Sequence, residues 1–270
     1  MSINFCTIAS GSGGNSAFLS TEHSKILIDA GLSGKAIEQA LVSHGIKPKD
    51  LTAIFITHEH SDHIQGAGIL SRRYDLPVYM TRGSWAYAQR QASLGKIPEK
   101  NRLIVTSGTS VSLGDMEIKP FAIPHDANEP VGYTIHAEGR KITVATDLGH
   151  ITKNVEENFC DSDIILLESN HDIDMLIGGP YPAYLKRRIL SDTGHLSNVA
   201  CGTFLADIYT TNIKHIFLAH LSGDNNHPVV AYETVRNILS ARKIDVGGAV
   251  DLHLADRFRP SAMVTLKSES

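Results

Sequence analysis

Six consecutive residues, His58-Glu59-His60-Ser61-Asp62-His63, follow directly on the apolar run Leu51-Thr52-Ala53-Ile54-Phe55-Ile56-Thr57. The run is rich in β-branched and aromatic side chains and reads as a buried strand. A loop leaving a strand is anchored at its start by a rigid sheet, so its side chains can be held converging on one point. Imidazole and carboxylate are preferred protein ligands for divalent first-row metals. Two histidines, an aspartate and a third histidine exceed what one tetrahedral ion needs once other segments contribute. The spacing therefore points to two ions sharing one loop. A purification tag would also be rich in histidine, but it would sit at a terminus and would not alternate with acids behind a strand.

The same grammar recurs three more times. Apolar segments of strand character end at His125 (after Met116 to Pro124), at Asp147 (after Lys141 to Thr146) and at His220 (after Ile213 to Ala219). Any one of these residues alone reads equally as a cap or turn. Together with the loop they supply five histidines and two aspartates, enough for two ions bridged by one carboxylate. Further strands are expected over Ile3 to Ala9, Ala17 to Ser20, Lys25 to Gly31, Pro77 to Thr81, Val131 to His136 and Ile164 to Glu168. Short strands separated by glycine-containing turns are expected from Arg102 to Lys119. Helical spacing marks Ser33 to His44, Gly66 to Tyr74, Ser84 to Leu94, Tyr184 to Leu190, Ser197 to Thr210 and Pro228 to Ala241. The tail from Asp251 to Leu266 alternates like one strand. Two mixed halves with no long linker or clear repeat predict a single α+β domain over residues 1–270, helices outside sheets.

Composition sets the remaining bounds. No apolar run approaches the roughly 20 residues of a membrane-spanning helix, so no membrane partner is expected. Cys6, Cys160 and Cys201 form no paired framework, and the first residues show no basic and apolar leader. Both point to a cytoplasmic protein. The net charge of −4 argues against a chain that coats nucleic acid non-specifically. It leaves a nuclease open, because bound cations invert the local field. Oligomeric state is not legible.

With His58-Glu59-His60-Ser61-Asp62-His63 followed in order by His125, Asp147 and His220, the chain resembles the metallo-β-lactamase fold superfamily. Asp29 of Ile28-Asp29-Ala30-Gly31 matches that superfamily's early aspartate. The resemblance implies a four-layer αββα sandwich with a dinuclear centre on the shared sheet edge. It further implies that His58, His60 and His125 hold one ion, that Asp62, His63 and His220 hold the other, and that Asp147 bridges them. Asp29 would orient a ligand imidazole from behind, although a turn residue before Gly31 is as good a reading.

A narrower similarity, to the YycJ/WalJ-type bacterial branch, rests on Ser10-Gly11-Ser12-Gly13-Gly14-Asn15-Ser16, Glu168-Ser169-Asn170-His171-Asp172, Gly194-His195-Leu196-Ser197-Asn198 and His220-Leu221-Ser222 with Asn225-Asn226. It implies a 5′→3′ DNA exonuclease, with nucleic acid or a small phosphodiester as substrate. Only 72 residues separate Asp147 from His220, so the inserted nucleic-acid-clamping domain of larger relatives is not expected.

The implied chemistry is phosphodiester hydrolysis by a metal-bridging hydroxide, with two ions neutralising phosphate charge. His195 is the candidate general acid, as in relatives with a histidine at this place, and Glu168 the carboxylate that orients it. Asp62 completes the catalytic group. A helix-start residue before the cap Ser197 is the competing reading for His195, and a surface ion pair for Glu168. Ser12, Asn15, Asn170, His171, Asn198, Ser222 and Asn225 are candidate substrate contacts. Five imidazoles and two carboxylates without a thiolate suit zinc, and also manganese or iron. Hydrolysis of a thioester, a lactam or a small cyclic or nucleotide diester on the same centre is the alternative. A non-catalytic metal-binding regulatory partner is the second.

Overall fold

The structure, a computed structural model, describes residues 2–268. In the amino-terminal half lie β1 (Ser2–Ala9), β2 (Ser16–Ser20), β3 (Lys25–Ile28), β4 (Ala53–Phe55), β5 (Val78–Thr81) and β6 (Arg102–Val105). The second half carries β7 (Val111–Leu113), β8 (Met116–Ala122), β9 (Val131–Ala137), β10 (Arg140–Ala145), β11 (Ile164–Glu168), β12 (His215–Ala219) and β13 (Asp251–Leu254), and β14 (Val264–Lys267) closes the chain. They build two seven-stranded sheets, ordered β14-β1-β2-β3-β4-β5-β6 and β13-β12-β11-β10-β9-β8-β7.

Period-two alternation explains why these strands are apolar on both faces. Ala53 and Phe55 of β4 point between the sheets, while Ile54 and Ile56 point outward. Ile164 and Leu166 of β11 face inward, Ile165 and Leu167 outward. A sheet covered on both faces has no solvent side, so its strands read as unbroken apolar runs. Rings clasp the sheets together: Phe5 meets Phe217 edge-on at 5.2 Å and Phe55 meets Tyr133 at 5.7 Å. The buried Tyr133 hydroxyl donates to the Ile56 carbonyl at 2.7 Å, fixing the strand end that feeds the histidine loop.

Helices cover the outer faces. α1 (Gly34–Ser43), the short α2 (Ser61–Ile64), α3 (Ala67–Tyr74) and α4 (Arg82–Ala88) pack on the first sheet through Ile37, Leu41, Ile64, Leu70 and Trp85. On the second sheet α5 (Lys153–Phe159), α8 (Asn198–Asp207) and α9 (Pro228–Ala241) bury Val155, Phe159, Leu205 and Val235. α6 (Ile173–Gly178) and α7 (Ala183–Ile189) lie between β11 and α8 in the chain. The result is the expected four-layer αββα sandwich in one domain.

Both sheets repeat one plan, which the sequence does not reveal. Reading from β14 or from β7, three antiparallel pairings are followed by three parallel ones. Under this correspondence β3 matches β10, and each is followed by a left-handed aspartate, Asp29 at φ 62° and Asp147 at φ 61°.

Two local readings are corrected. The helix read over Ser84 to Leu94 spans Arg82–Ala88, because Thr81 caps it by accepting from the Ser84 amide. The alternating tail is two strands in different sheets: β13 joins β12, β14 joins β1, and residues 255–263 cross between the layers.

Candidate metal centre

The ligand-type residues gather where the carboxyl ends of β3, β4, β8, β10, β11 and β12 meet. Three of them stand at positive φ, Asp29, Asp147 and His220 (φ 55°). Left-handed backbone is uncommon for such residues and concentrates at functional sites. At Gly31 the chain passes so close to the loop that a Cβ would lie 1.6 Å from the Asp62 carbonyl oxygen. Only glycine lets the two loops touch there.

His58 Nε2 lies 3.1 Å from His60 Nδ1, and His125 Nε2 3.4 Å from the same atom. On the other side, His63 Nε2 is 3.5 Å from Asp62 Oδ2, and His220 Nε2 is 3.9 Å from it. Asp147 stands between these groups: Oδ2 is 3.2 Å from His63 Nε2, while Oδ1 is 3.4 Å from His220 Nδ1 and 3.7 Å from His125 Nε2. All seven sequence-expected ligands are thus brought together.

Each ring is aimed from behind. Asp29 Oδ2 takes His63 Nδ1 at 2.8 Å, and its Oδ1 accepts the Thr57 amide. The Thr57 hydroxyl lies 2.9 Å from Asp29 Oδ2 and 3.0 Å from His58 Nδ1. It can donate to the carboxylate and accept from His58, which leaves His58 Nε2 free. Such supporting partners set tautomer and ring orientation at metal sites. Thr57 was missed by sequence reasoning. As the last residue before the loop, its place at the strand end was the available signal.

Glu168 is fully buried and uses both oxygens twice. Oε1 takes His220 Nδ1 at 2.6 Å and His195 Nδ1 at 2.8 Å, and Oε2 accepts the amides of Leu148 and Leu196. It is no surface ion pair. Burial opposes its ionisation, yet the two imidazoles bring it down to about 2.

The charges show what the donors fit. Burial, seconded by His63, drives His58 well below the imidazole range, and burial also lowers His125. Burial disfavours charge on His63 and His220 too, but surrounding carboxylates raise His63 well above its usual value and His220 to about 9. The carboxylates Asp29, Asp62, Asp147 and Glu168 thus make this edge a place that favours positive charge. Asp147 Oδ2 is buried without a hydrogen-bond partner. Neutral imidazoles, converging carboxylates and an unsatisfied oxygen are the donor set of a divalent cation.

Several residues read as substrate contacts are spent elsewhere. Asn198 and Asn225 are fully buried. Asn198 bonds Ser169 and Asn226, and Asn225 lies against Ser222. The Asn15 amide reaches inward to Asp62 and His63, and Asn170 holds the His220 carbonyl. Full burial corrects Asn198 to scaffold, the Asn15 and Asn170 amides each satisfy a loop carbonyl, and Asn225 Oδ1 is buried without a partner. Ser222, nearly buried, accepts the Asn225 amide. Ser12 is exposed and borders a cleft with Asp62. His171 is buried with neither ring nitrogen partnered and lines a cleft with His195. Glu59 turns away from the centre and binds Ser84 and Asn128, pinning the loop to α4. A separate group, His215, Asp251 and His253, lies on β12 and β13 away from this edge.

Comparison with known proteins decides the family. Residues 24–221 match the model of the beta-lactamase superfamily domain. The chain belongs to the metallo-β-lactamase fold superfamily. It is 40% identical to "Exodeoxyribonuclease YycJ" of Bacillus anthracis over 97% of this chain and 98% of that protein. It is 38% identical to "Exodeoxyribonuclease WalJ" of Streptococcus pneumoniae, covering 93% of each. In fold it resembles YhfI of Bacillus subtilis, a metallo-β-lactamase fold protein, with a TM-score of 0.70 at 13% identity, covering 97% of this chain and 99% of that one. It is a metal-dependent hydrolase, and its histidine and aspartate cluster implies divalent ions.

Proposed function

We propose that this chain is a dinuclear metal-dependent phosphodiesterase that degrades DNA strands from the 5′ end. Its seven donors, His58, His60, Asp62, His63, His125, Asp147 and His220, would hold the two ions, zinc or alternatively manganese or iron. The observation that carries the reading is the Glu168 carboxylate shared by His220 and His195 at 2.6 and 2.8 Å. One buried group thereby positions a metal ligand and a proton donor together. The names of the full-length relatives, exodeoxyribonucleases, support DNA as the substrate.

Bound among these donors, the ions would supply a nucleophile from water at neutral pH and offset charge on the phosphate. The chain's own residues do the rest. Glu168 holds His195 through Nδ1, leaving Nε2 as the free end of a ring whose side chain is 16% exposed. Burial lowers the proton affinity of His195, but Glu168 and Asp147 more than reverse this. His195 thus holds a proton more tightly than a free imidazole and can deliver it to the departing 3′ oxygen. A thioester releases a thiolate that needs little such help, so a carboxylate-backed imidazole favours the phosphodiester. The segment between Asp147 and His220 is filled by α5, β11, α6 to α8 and β12, with no inserted domain there. Free Cys6, Cys160 and Cys201 fit work in the reducing cytoplasm.

The test is metal-reconstituted protein assayed on 5′-labelled single- and double-stranded DNA, RNA and bis-p-nitrophenyl phosphate, with Asp62→Ala as control. Asp62-dependent mononucleotide release from DNA is the expected result. Failure to hydrolyse any diester would overturn the proposal.

A further inference from the structure

The crossing from β13 to β14 carries the sequence Asp256-Arg257-Phe258-Arg259-Pro260. Phe258 is 81% exposed, more than any other large apolar side chain among the described residues. An open aromatic ring beside a nuclease centre is a surface on which a base can stack. Asp256 Oδ1 accepts the amides of both Phe258 and Arg259, at 2.7 and 3.0 Å, so the turn that presents the ring is held in shape.

The turn is tied to the metal centre by direct bonds. The Ser10 amide donates to the Asp256 carbonyl at 2.9 Å, and the Ser10 hydroxyl accepts the His220 amide at 2.8 Å. Arg257 Nη2 donates to the Ser222 carbonyl at 2.5 Å, two residues past His220. Glycines make room for this side chain: a Cβ on Gly11 would lie 3.0 Å from Arg257 Cγ, and one on Gly223 would lie 2.6 Å from Arg257 Nη1. Beside the turn opens a cavity of about 390 Å³, bordered by Leu221, His227, Pro228, Arg257 and Phe258. It has room for a nucleobase and an apolar wall, with the Arg257 guanidinium and the Asp256 carboxylate at its rim.

We propose that this turn is a landing site for the DNA strand beside the metal centre, where a nucleobase stacks on Phe258 while Arg257 and Arg259 face its phosphates. The inference rests on the nuclease reading above and adds where the strand is gripped. An exposed aromatic flanked by arginines is the combination that binds single strands without sequence preference, since every base has a π face. No clamping domain is needed if the catalytic edge carries its own platform.

The experiment compares metal-loaded wild type, Phe258→Ala, Phe258→Trp and Arg259→Ala. Phe258→Ala removes a side chain that buries little, so the fold is kept. Expected for Phe258→Ala is a KM on a short single strand raised about tenfold or more, with saturated turnover of bis-p-nitrophenyl phosphate unchanged. Phe258→Trp restores the strand KM. A strand carrying 2-aminopurine loses fluorescence on binding wild type but not Phe258→Ala. Arg259→Ala makes binding less salt-dependent by about one unit of slope. Unchanged KM and quenching in Phe258→Ala, with wild type still cutting the strand, would overturn this inference alone. Phe258-dependent quenching without any cleavage by wild type would uphold it and overturn the nuclease reading.

Discussion

Replacing Glu168 by glutamine preserves its shape and removes the property that the centre uses. Oε1 receives two imidazole N–H groups and Oε2 two backbone N–H groups. Whichever way a glutamine amide turns, its NH2 group faces two donors in a site closed to water. The wild-type carboxylate ionises at about 2 against 4.5 ordinarily. A buried carboxylate held this low by its imidazole partners contributes to the stability of the fold. Because the folded value is depressed, this contribution is complete above about pH 4.5 and is lost as the pH falls toward 2. Breaking a buried charged pair costs about 3–5 kcal/mol, so Glu168→Gln is expected to lower Tm by roughly 10 °C. Turnover should fall about 100-fold or more on a DNA strand, within the range of a lost general acid, and far less on bis-p-nitrophenyl phosphate, whose leaving group needs no proton. Glu168 raises the proton affinity of His195, and under the proposed mechanism activity falls as that ring loses its proton. The alkaline limb of the pH profile should therefore move to lower pH in the variant. Calorimetry, metal analysis and pH-dependent kinetics on both substrates check each part. A Glu168→Gln protein with wild-type stability, an unmoved alkaline limb and an unchanged ratio of the two rates would refute the reasoning.

Other expectations follow from the same geometry. His195→Ala should keep full metal content yet lose about 100-fold or more on DNA, which metal analysis beside kinetics will show. Asp29→Asn weakens the hold on His63 Nδ1 and should reduce metal affinity about 10- to 100-fold, measurable by competition with a chromogenic chelator. Gly31→Ala forces a Cβ onto the Asp62 carbonyl and should cost on the order of 3 kcal/mol or more, read as lower Tm or loss of soluble protein. Stripping the ions should lower Tm, and readdition should restore it in a concentration-dependent way.

Much of this architecture is legible because its signals are local. A strand buried on both faces must be apolar throughout, so Leu51 to Thr57 and Ile213 to Ala219 announce themselves. The residues at their ends inherit positions on one edge. What was not legible depends on distant contacts. Nothing near Asp251 to Leu266 says that the alternation changes sheets midway, since both strands have the same local character. Short helices such as α2, α5 and α6 offer too few turns for a periodic signal. Asn15, Asn170, Asn198 and Asn225 look like substrate-binding polar groups in sequence. The fold turns them inward, where Asn15 and Asn170 hold loop carbonyls. Thr57 and Glu59 flank His58, yet only the fold shows one orienting that ring and the other tethering the loop to α4.

The central claim is that seven donors hold two ions to hydrolyse DNA from its 5′ end. Titration of metal-free protein with manganese or zinc, while following a 5′-labelled single strand, tests it most directly. The expected result is release of the label as a mononucleotide, rising to full rate only as the second equivalent binds and absent in Asp62→Ala. No release at any metal level, full rate at one equivalent, or label appearing first in oligonucleotides longer than one residue would contradict it.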